Sequence, residues 1–209
     1  MPIDILRNKT PQRVYDDVSG FRQRYVQDWT SWLDAPRPAR PELFGKILRK
    51  WQAARPRAMR RLRADTKATH IAPFLDDLLD QSAAPIAELG NLSVFTIAGR
   101  TDTQNLALGS LWQTFSQLPT EGTSSCVGIT KAILLLTDGR IGPAFDSQVR
   151  KKLRIAPPTT CAEWVVTLEE IADDILAFEA THESFASVVP QQFAHLAYGR
   201  LYDMALGPR

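Results

Sequence analysis

Apolar residues recur at steps of three and four along most of this 209-residue chain, and this spacing limits the folds it can adopt. The steps match the α-helical repeat, so each such stretch is expected to form a helix with one apolar face. Val14 to Trp32 is the clearest example. Only "LSVFTIAG", residues 92–99, resembles a strand, and no second stretch of similar quality could pair with it. The pattern predicts an all-α, compact multi-helix domain.

Proline, threonine and aspartate mark where the predicted helices begin. Thr10 and Pro11 are expected to open a helix that runs to about Leu33, and Pro41 to open the next. Further helices are predicted at about 71–79, within 84–100, from Asp102 or Thr103 to 118, at 129–136 and 147–154, from Thr159 or Thr160 to 180, and at 190–204. Residues 1–100, with an Arg-rich segment at 37–67, and residues 101–209 are expected to form one continuous compact domain.

Several classes of protein are disfavoured by what the sequence lacks. The longest purely apolar run, Ala132 to Leu136, is too short to cross a bilayer, and the first residues have no signal-peptide pattern. Two cysteines and three scattered histidines form no metal-binding spacing, and no glycine-rich phosphate loop occurs. We therefore expect a soluble, cytoplasmic protein with no membrane partner, no metal site, no cofactor and no nucleotide cofactor.

Charge is distributed unevenly along the chain. Residues 37–67 hold 11 Lys and Arg against two acids, whereas residues 156–209 hold two Arg against eight acids. A basic block beside a nearly neutral body fits an anionic partner such as DNA. An Arg-rich helix face exposed to water explains the same block equally well.

The stretch "CVGITKAILLLTDGRIGPAFDSQV", residues 126–149, contains the residues most suggestive of chemistry. Lys131 interrupts an apolar helix, and Asp146 stands directly before a basic one, where it is expected to cap the helix N-terminus. A cap alone would explain Asp146, but not Lys131. If the turn folds back, the desolvated amine of Lys131 lies close to the carboxylate of Asp146. These two groups together can break an N-glycosidic bond through a sugar cation.

The same stretch resembles the helix-hairpin-helix DNA glycosylase superfamily, and most closely its small bacterial members with an 8-oxoguanine-glycosylase-like fold. Thr130-Lys131 and Asp146-x-x-Val149 match the family pattern, and "RLYDMAL" at 200–206 is similar to its last helix, although the second glycine of the hairpin is absent. The resemblance implies a helix-hairpin-helix element within a glycosylase-like region, 101–209. It also implies that Lys131 attacks the sugar C1′ and that Asp146 stabilises the resulting cation.

The resemblance extends to DNA contacts. The backbone around Gly128, Ile129 and Thr130 is expected to bind a phosphate, and a flipped base to enter a pocket. Candidate pocket walls are Trp112, which also fits a core position, and Phe145. Candidate DNA-binding cations within the stretch are Arg150 and Lys151. Outside the resemblance, the Arg-rich segment offers a further DNA-binding surface with Arg55, Arg57, Arg60, Arg61 and Arg63.

The function expected from these residues is a DNA glycosylase, a hydrolase of base-excision DNA repair that removes a damaged or modified base, with or without lyase activity. Two alternatives remain open. The chain could be a non-catalytic helical module that binds DNA through its basic block. It could also be a protein-interaction domain in which the basic middle and the acidic last third pair between copies.

Overall fold

A computed structural model describes residues 2–53, 75–118 and 126–208, and within these ranges it contains helices and no strand. The all-α prediction is confirmed. The α-helices are α1 (Pro11–Ser19), α2 (Gln23–Asp34), α3 (Arg40–Lys50), α4 (Leu75–Leu89), α5 (Asp102–Ser116), α6 (Cys126–Leu136), α7 (Ser147–Leu153), α8 (Cys161–Glu179) and α9 (Tyr198–Leu206), with short 3-10 helices at Arg37–Ala39, Val94–Gly99 and Gln191–Phe193. None of these helices combines the length and apolar character needed to cross a membrane.

Side-chain caps fix three of the helix starts where the sequence predicts them. The hydroxyls of Thr10 and Thr160 and the carboxylate of Asp146 accept backbone N–H bonds at the starts of α1, α8 and α7. The cap of α5 is Thr101, not Asp102 or Thr103 as predicted, because Thr101 accepts from the N–H of Gln104 and also forms a capping box with it.

The prediction of one helix from Thr10 to Leu33 is wrong, because α1 ends at Ser19, with Gly20 as its C-cap, and α2 begins at Gln23. The N–H of Gly20 donates to Asp16 O at 3.0 Å, and Arg22 leaves the helical backbone conformation, with φ −56° and ψ 120°. The apolar spacing continues across this break, which is why the sequence pattern does not reveal it.

Two further boundaries differ from the prediction. The helix expected at 190–204 is a short 3-10 helix followed by α9, because Ala197 is extended, with ψ 151°. The helix expected at 71–79 is the longer α4, which continues through Pro85 to Leu89, while residues 71–74 lie outside the described residues.

Two helices occupy the centre of the protein and are buried on nearly every side. In α6, Ala132 and the three residues after it are fully buried, and α6 packs on α3 and α5. In α9, every residue from Gly199 to Leu206 is buried, and α9 packs on α1 and α7. Helices of this kind form the middle of a core, so a charged residue on either of them is held away from water.

The first residues of the chain are anchored to α8 by a fully buried carboxylate. Asp174 accepts hydrogen bonds from Leu6 N at 2.7 Å, Arg7 N at 3.2 Å and the hydroxyl of Tyr202 at 2.8 Å. A buried carboxylate is stable only when it is hydrogen-bonded in this way. Asp174 therefore joins the beginning of the chain to α8 and α9.

The start of α9 lies directly on the turn that follows α6. Arg200 N donates to Gly139 O at 2.9 Å, and Gly139 has the positive φ of 82° that closes this turn. A Cβ placed on Gly199 would lie 2.6 Å from Gly139 O and 2.7 Å from Gly142 N. Only glycine allows this approach of two backbones, which sets the position of α9.

We expect Gly199→Ala to destabilise the protein by about 2–3 kcal/mol, because the new methyl group meets backbone atoms that cannot rotate away. Gly109→Ala is the matched control, since a Cβ there meets nothing within 4 Å and alanine favours the interior of α5. The control should gain about 0.5–1 kcal/mol. Urea denaturation followed by circular dichroism measures both values. Equal midpoints for the two variants would contradict the close approach.

Candidate functional site

Lys131 projects from α6 into a largely enclosed position beside the end of α3. Its side chain is 12% exposed, and its Nζ donates to Trp51 O at 2.7 Å. The nearest carboxylate is that of Asp146, whose Oδ2 lies 3.9 Å from Nζ. The structure thus brings together the amine and the carboxylate that the sequence singled out.

The two oxygens of Asp146 face different partners. Oδ1 accepts from Gln148 N and Val149 N, both at 3.0 Å, and so caps α7, while Oδ2 is the oxygen nearest Lys131. The expected cap is confirmed, and the same side chain is also an ion-pair partner. Because the cap fixes the orientation of the carboxylate, Oδ2 is held towards the amine.

The hydroxyl of Thr130 joins the segments that carry Lys131 and Asp146. It accepts from Phe145 N at 2.9 Å and donates to Cys126 O at 2.7 Å. Thr130 immediately precedes Lys131, and Phe145 immediately precedes Asp146. A buried hydroxyl with both bonds made is a rigid link, so the turn folds back in the way the pair requires.

Burial and charge act in opposite directions on Lys131. Burial lowers the pKa of its amine below the ordinary 10.5, and the carboxylates of Asp146 and Asp203 partly offset this. Burial also raises the pKa of Asp203, while the guanidinium of Arg200 opposes that rise. A larger share of neutral amine results at a given pH, and neutral amine is the nucleophilic form.

Behind the pair lies a narrow cavity, which we call the inner recess. Its aromatic walls are Phe21, Tyr25 and Trp51. Its charged walls are Lys131, Asp146, Arg200 and Asp203. The inner recess offers about 30 Å³, which is room for no more than a few waters, so a nucleobase enters only if a wall moves.

Arg200 occupies a cage of aromatic rings at the back of the inner recess. Its guanidinium carbon lies 4.6 Å from the ring centre of Trp29 and 4.9 Å from that of Phe21. Its Nη1 donates to Asp203 Oδ2 at 2.6 Å, and Asp203 Oδ1 accepts from Ala144 N at 3.1 Å. This buried ion pair therefore connects the aromatic rings of the first helices to the segment that leads into Asp146.

A larger and more polar cavity, the outer recess, adjoins the inner one. The two share Tyr25, Trp51, Lys131, Asp146 and Pro208 as walls. The outer recess also has three arginines on its rim, at positions 22, 24 and 150. It has about 320 Å³ of space for a water-sized molecule, which is within the size range of small-molecule sites, about 300–1,000 Å³.

The other predicted site residues are dispersed. Of the predicted cations, Arg150 lines the outer recess, whereas Lys151 is exposed on α7 and lines neither recess. Trp112 packs against Trp164, with ring centres 5.5 Å apart, and Phe145 is fully buried, so neither lines a recess. Both of these aromatic residues have core positions.

The expected phosphate-binding backbone is buried inside α6. Gly128, Ile129 and Thr130 are all buried, and a Cβ on Gly128 would lie 2.6 Å from Ala53 O. This packing leaves no room for a phosphate beside Gly128, and the helix-hairpin-helix element stays a prediction. Arg55, Arg57, Arg60, Arg61 and Arg63 lie outside the described residues.

The sequence pattern does not single out the residues that surround the pair. Phe21, Tyr25 and Trp51 recur at helical spacing, which is typical of core positions. Arg200 and Asp203 were noted only as part of a motif, although two opposite charges three positions apart in an otherwise apolar helix are a usable signal.

Comparison with protein-family models, with curated proteins and with solved structures finds no match for this chain. Within the described ranges, no three His, Cys, Asp or Glu side chains come together in a way that could hold a metal ion. The arrangement around Lys131 therefore has to be interpreted from its own geometry.

We expect a ¹³C-NMR titration of the reductively methylated protein to give Lys131 a pKa below the ordinary 10.5. Asp146→Asn should lower it further, because asparagine keeps the cap but removes the charge that favours the ammonium. Between the lowered pKa of Lys131 in the folded protein and the ordinary 10.5, the unfolded chain binds more protons at this lysine than the folded protein does. The contribution of Lys131 to the free energy of unfolding should therefore rise as the pH rises through that range. An unchanged pKa in Asp146→Asn would show that the two groups are not coupled.

Proposed function

We propose that this chain acts on DNA at the bond between a base and its deoxyribose, with Lys131 as nucleophile and Asp146 as the assisting carboxylate. The observation that carries the proposal is the 3.9 Å approach of Lys131 Nζ to Asp146 Oδ2 at the wall shared by an aromatic recess and a basic one. A desolvated amine beside an oriented carboxylate suits attack on a carbon that is becoming cationic.

The reaction begins with the neutral amine of Lys131. Its lone pair forms a bond to C1′ while the C1′–N bond breaks, and the base leaves with that electron pair and takes up a proton. The carboxylate of Asp146 stabilises the positive charge on the sugar and accepts the proton that Nζ loses. The C1′–O4′ bond then breaks, O4′ is protonated, and an iminium forms between C1′ and Nζ, which water hydrolyses to release the enzyme.

A second candidate function, a non-catalytic DNA-binding module, is favoured by the size of the inner recess. Its space of about 30 Å³ holds no base unless a wall moves. In that case Lys131 and Asp146 form only a structural ion pair behind a basic surface. This candidate predicts that wild-type protein binds DNA, forms no covalent adduct and is unaffected by replacement of Lys131.

The test is borohydride trapping. Oligonucleotides that carry an abasic site, uracil or 8-oxoguanine are incubated with the protein and reduced, and the adduct is resolved on a denaturing gel. We expect wild-type protein to form an adduct with at least the abasic strand, and Lys131→Gln to form none. Asp146→Asn should slow its formation by about a hundredfold, the contribution of a positioned acid–base group.

Lys46→Gln is the matched control, because Lys46 is an exposed lysine that pairs with Glu42 and lines neither recess. It should react like wild type. An adduct of equal yield in Lys131→Gln would assign the reaction to another amine. No adduct with any of the three strands, from protein with a native circular dichroism spectrum, would reject the enzymatic proposal.

A further inference from the structure

The rim of the outer recess concentrates positive charge next to Lys131. Arg22 precedes α2, Arg24 lies in its first turn, and Arg150 lies on α7. Among the described residues that line the recess, these three and Lys131 are basic and Asp146 is acidic. Lys131 and Asp146 form an ion pair, and the three arginines add positive charge to the same opening.

Two of these arginines are held in place by neighbouring groups. Arg24 donates from Nη2 to the hydroxyl of Tyr25 at 2.7 Å, and its guanidinium carbon lies 4.6 Å from the centre of the same ring. Arg150 donates from Nε to Phe145 O at 3.1 Å. Guanidinium groups fixed in this way lose less entropy on binding and match the oxygens of a phosphate in pairs.

We propose that Arg22, Arg24 and Arg150 bind a phosphodiester of the DNA strand whose sugar reaches Lys131. This inference rests on the proposed function and assigns to the arginines the role that the buried backbone of Gly128 cannot fill. The ligand is a phosphodiester next to an unpaired nucleotide, either in single-stranded DNA or in a nucleotide extruded from a duplex.

The geometry favours a chain phosphate over a phosphate free in solution. The outer recess opens beside the Lys131 amine and shares five of its walls with the inner recess. A group bound by the arginines is therefore adjacent to whatever reacts at Lys131. Within one nucleotide the sugar C1′ and the phosphates are only a few bonds apart. One strand can therefore place a phosphate at the arginines and a sugar at Lys131.

The test measures binding rather than reaction. Fluorescence anisotropy follows a labelled single-stranded oligonucleotide that carries a tetrahydrofuran abasic analogue, over a range of salt concentrations. Arg22→Gln, Arg24→Gln and Arg150→Gln are compared with wild type, with Lys46→Gln as the control cation outside the recess. We expect each arginine variant to weaken binding severalfold and to reduce the salt slope by about one, and the control to leave both unchanged.

A second arm locates the phosphate. One phosphate next to the analogue is replaced by an uncharged methylphosphonate, first on one side and then on the other. At one of these two positions we expect the methylphosphonate to weaken binding to the wild-type protein. It should not weaken binding to Arg24→Gln, because that variant has already lost the interaction between Arg24 and the phosphate. Inorganic phosphate added as a competitor at constant ionic strength should displace the strand only weakly.

The inference is overturned if all three arginine variants match Lys46→Gln in salt slope. It is also overturned if the methylphosphonate has the same effect on wild type and Arg24→Gln at both positions, or if inorganic phosphate competes as well as the strand does. Since Arg24 bonds only to its neighbour Tyr25 among the contacts described above, its variant keeps the test valid if Arg150→Gln perturbs the fold.

The two proposals fail separately. If no borohydride adduct forms but the arginine variants lose salt dependence, the enzymatic function falls and the phosphodiester site stands. If an adduct forms but the arginine variants bind like the control, Lys131 is the nucleophile and the strand is held elsewhere.

Discussion

The buried ion pair between Arg200 and Asp203 is the interaction on which the site depends. Removing two charges from water costs several kcal/mol for each ion, and the cost is offset only by good geometry and further bonds. Here the rings of Phe21 and Trp29 contact the guanidinium, and Ala144 N donates to the carboxylate. The pair therefore holds the early helices, α9 and the segment before Asp146 in one arrangement.

The residues proposed for catalysis also take part in the contacts of the fold, so a substitution at either of them affects both catalysis and stability. Asp146 uses one oxygen for the cap of α7 and the other towards Lys131, while Thr130 links the segments that carry both. Lys131 itself is a burden on stability, because burial disfavours its charge. The cap of α7 accounts for Asp146 by itself, whereas Lys131 is the residue on which the proposed function rests.

The sequence predicts the helices of this fold better than it predicts the side-chain contacts between them. Local rules sufficed for the helical character of the chain and for the caps at Thr10, Asp146 and Thr160, because caps depend on neighbours within four residues. They did not reveal the break between α1 and α2. The cage around Arg200 depends on contacts such as that with Tyr25 O, 175 positions away, which no local pattern encodes. Trp112 and Phe145 are predicted as pocket walls but line neither recess, because a local pattern does not distinguish a pocket wall from a core position.

The last residues of the chain complete the inner recess, and this affects when the recess can form during synthesis. Arg22 N donates to Pro208 O at 3.1 Å, and Gly207 and Pro208 form walls of the inner recess with Phe21. Contacts so distant in sequence form late and slow folding, since a long loop must close before they contribute. On the ribosome Lys131 is translated well before α9, so a nascent chain carries Lys131 without the complete inner recess until residues 198–208 emerge.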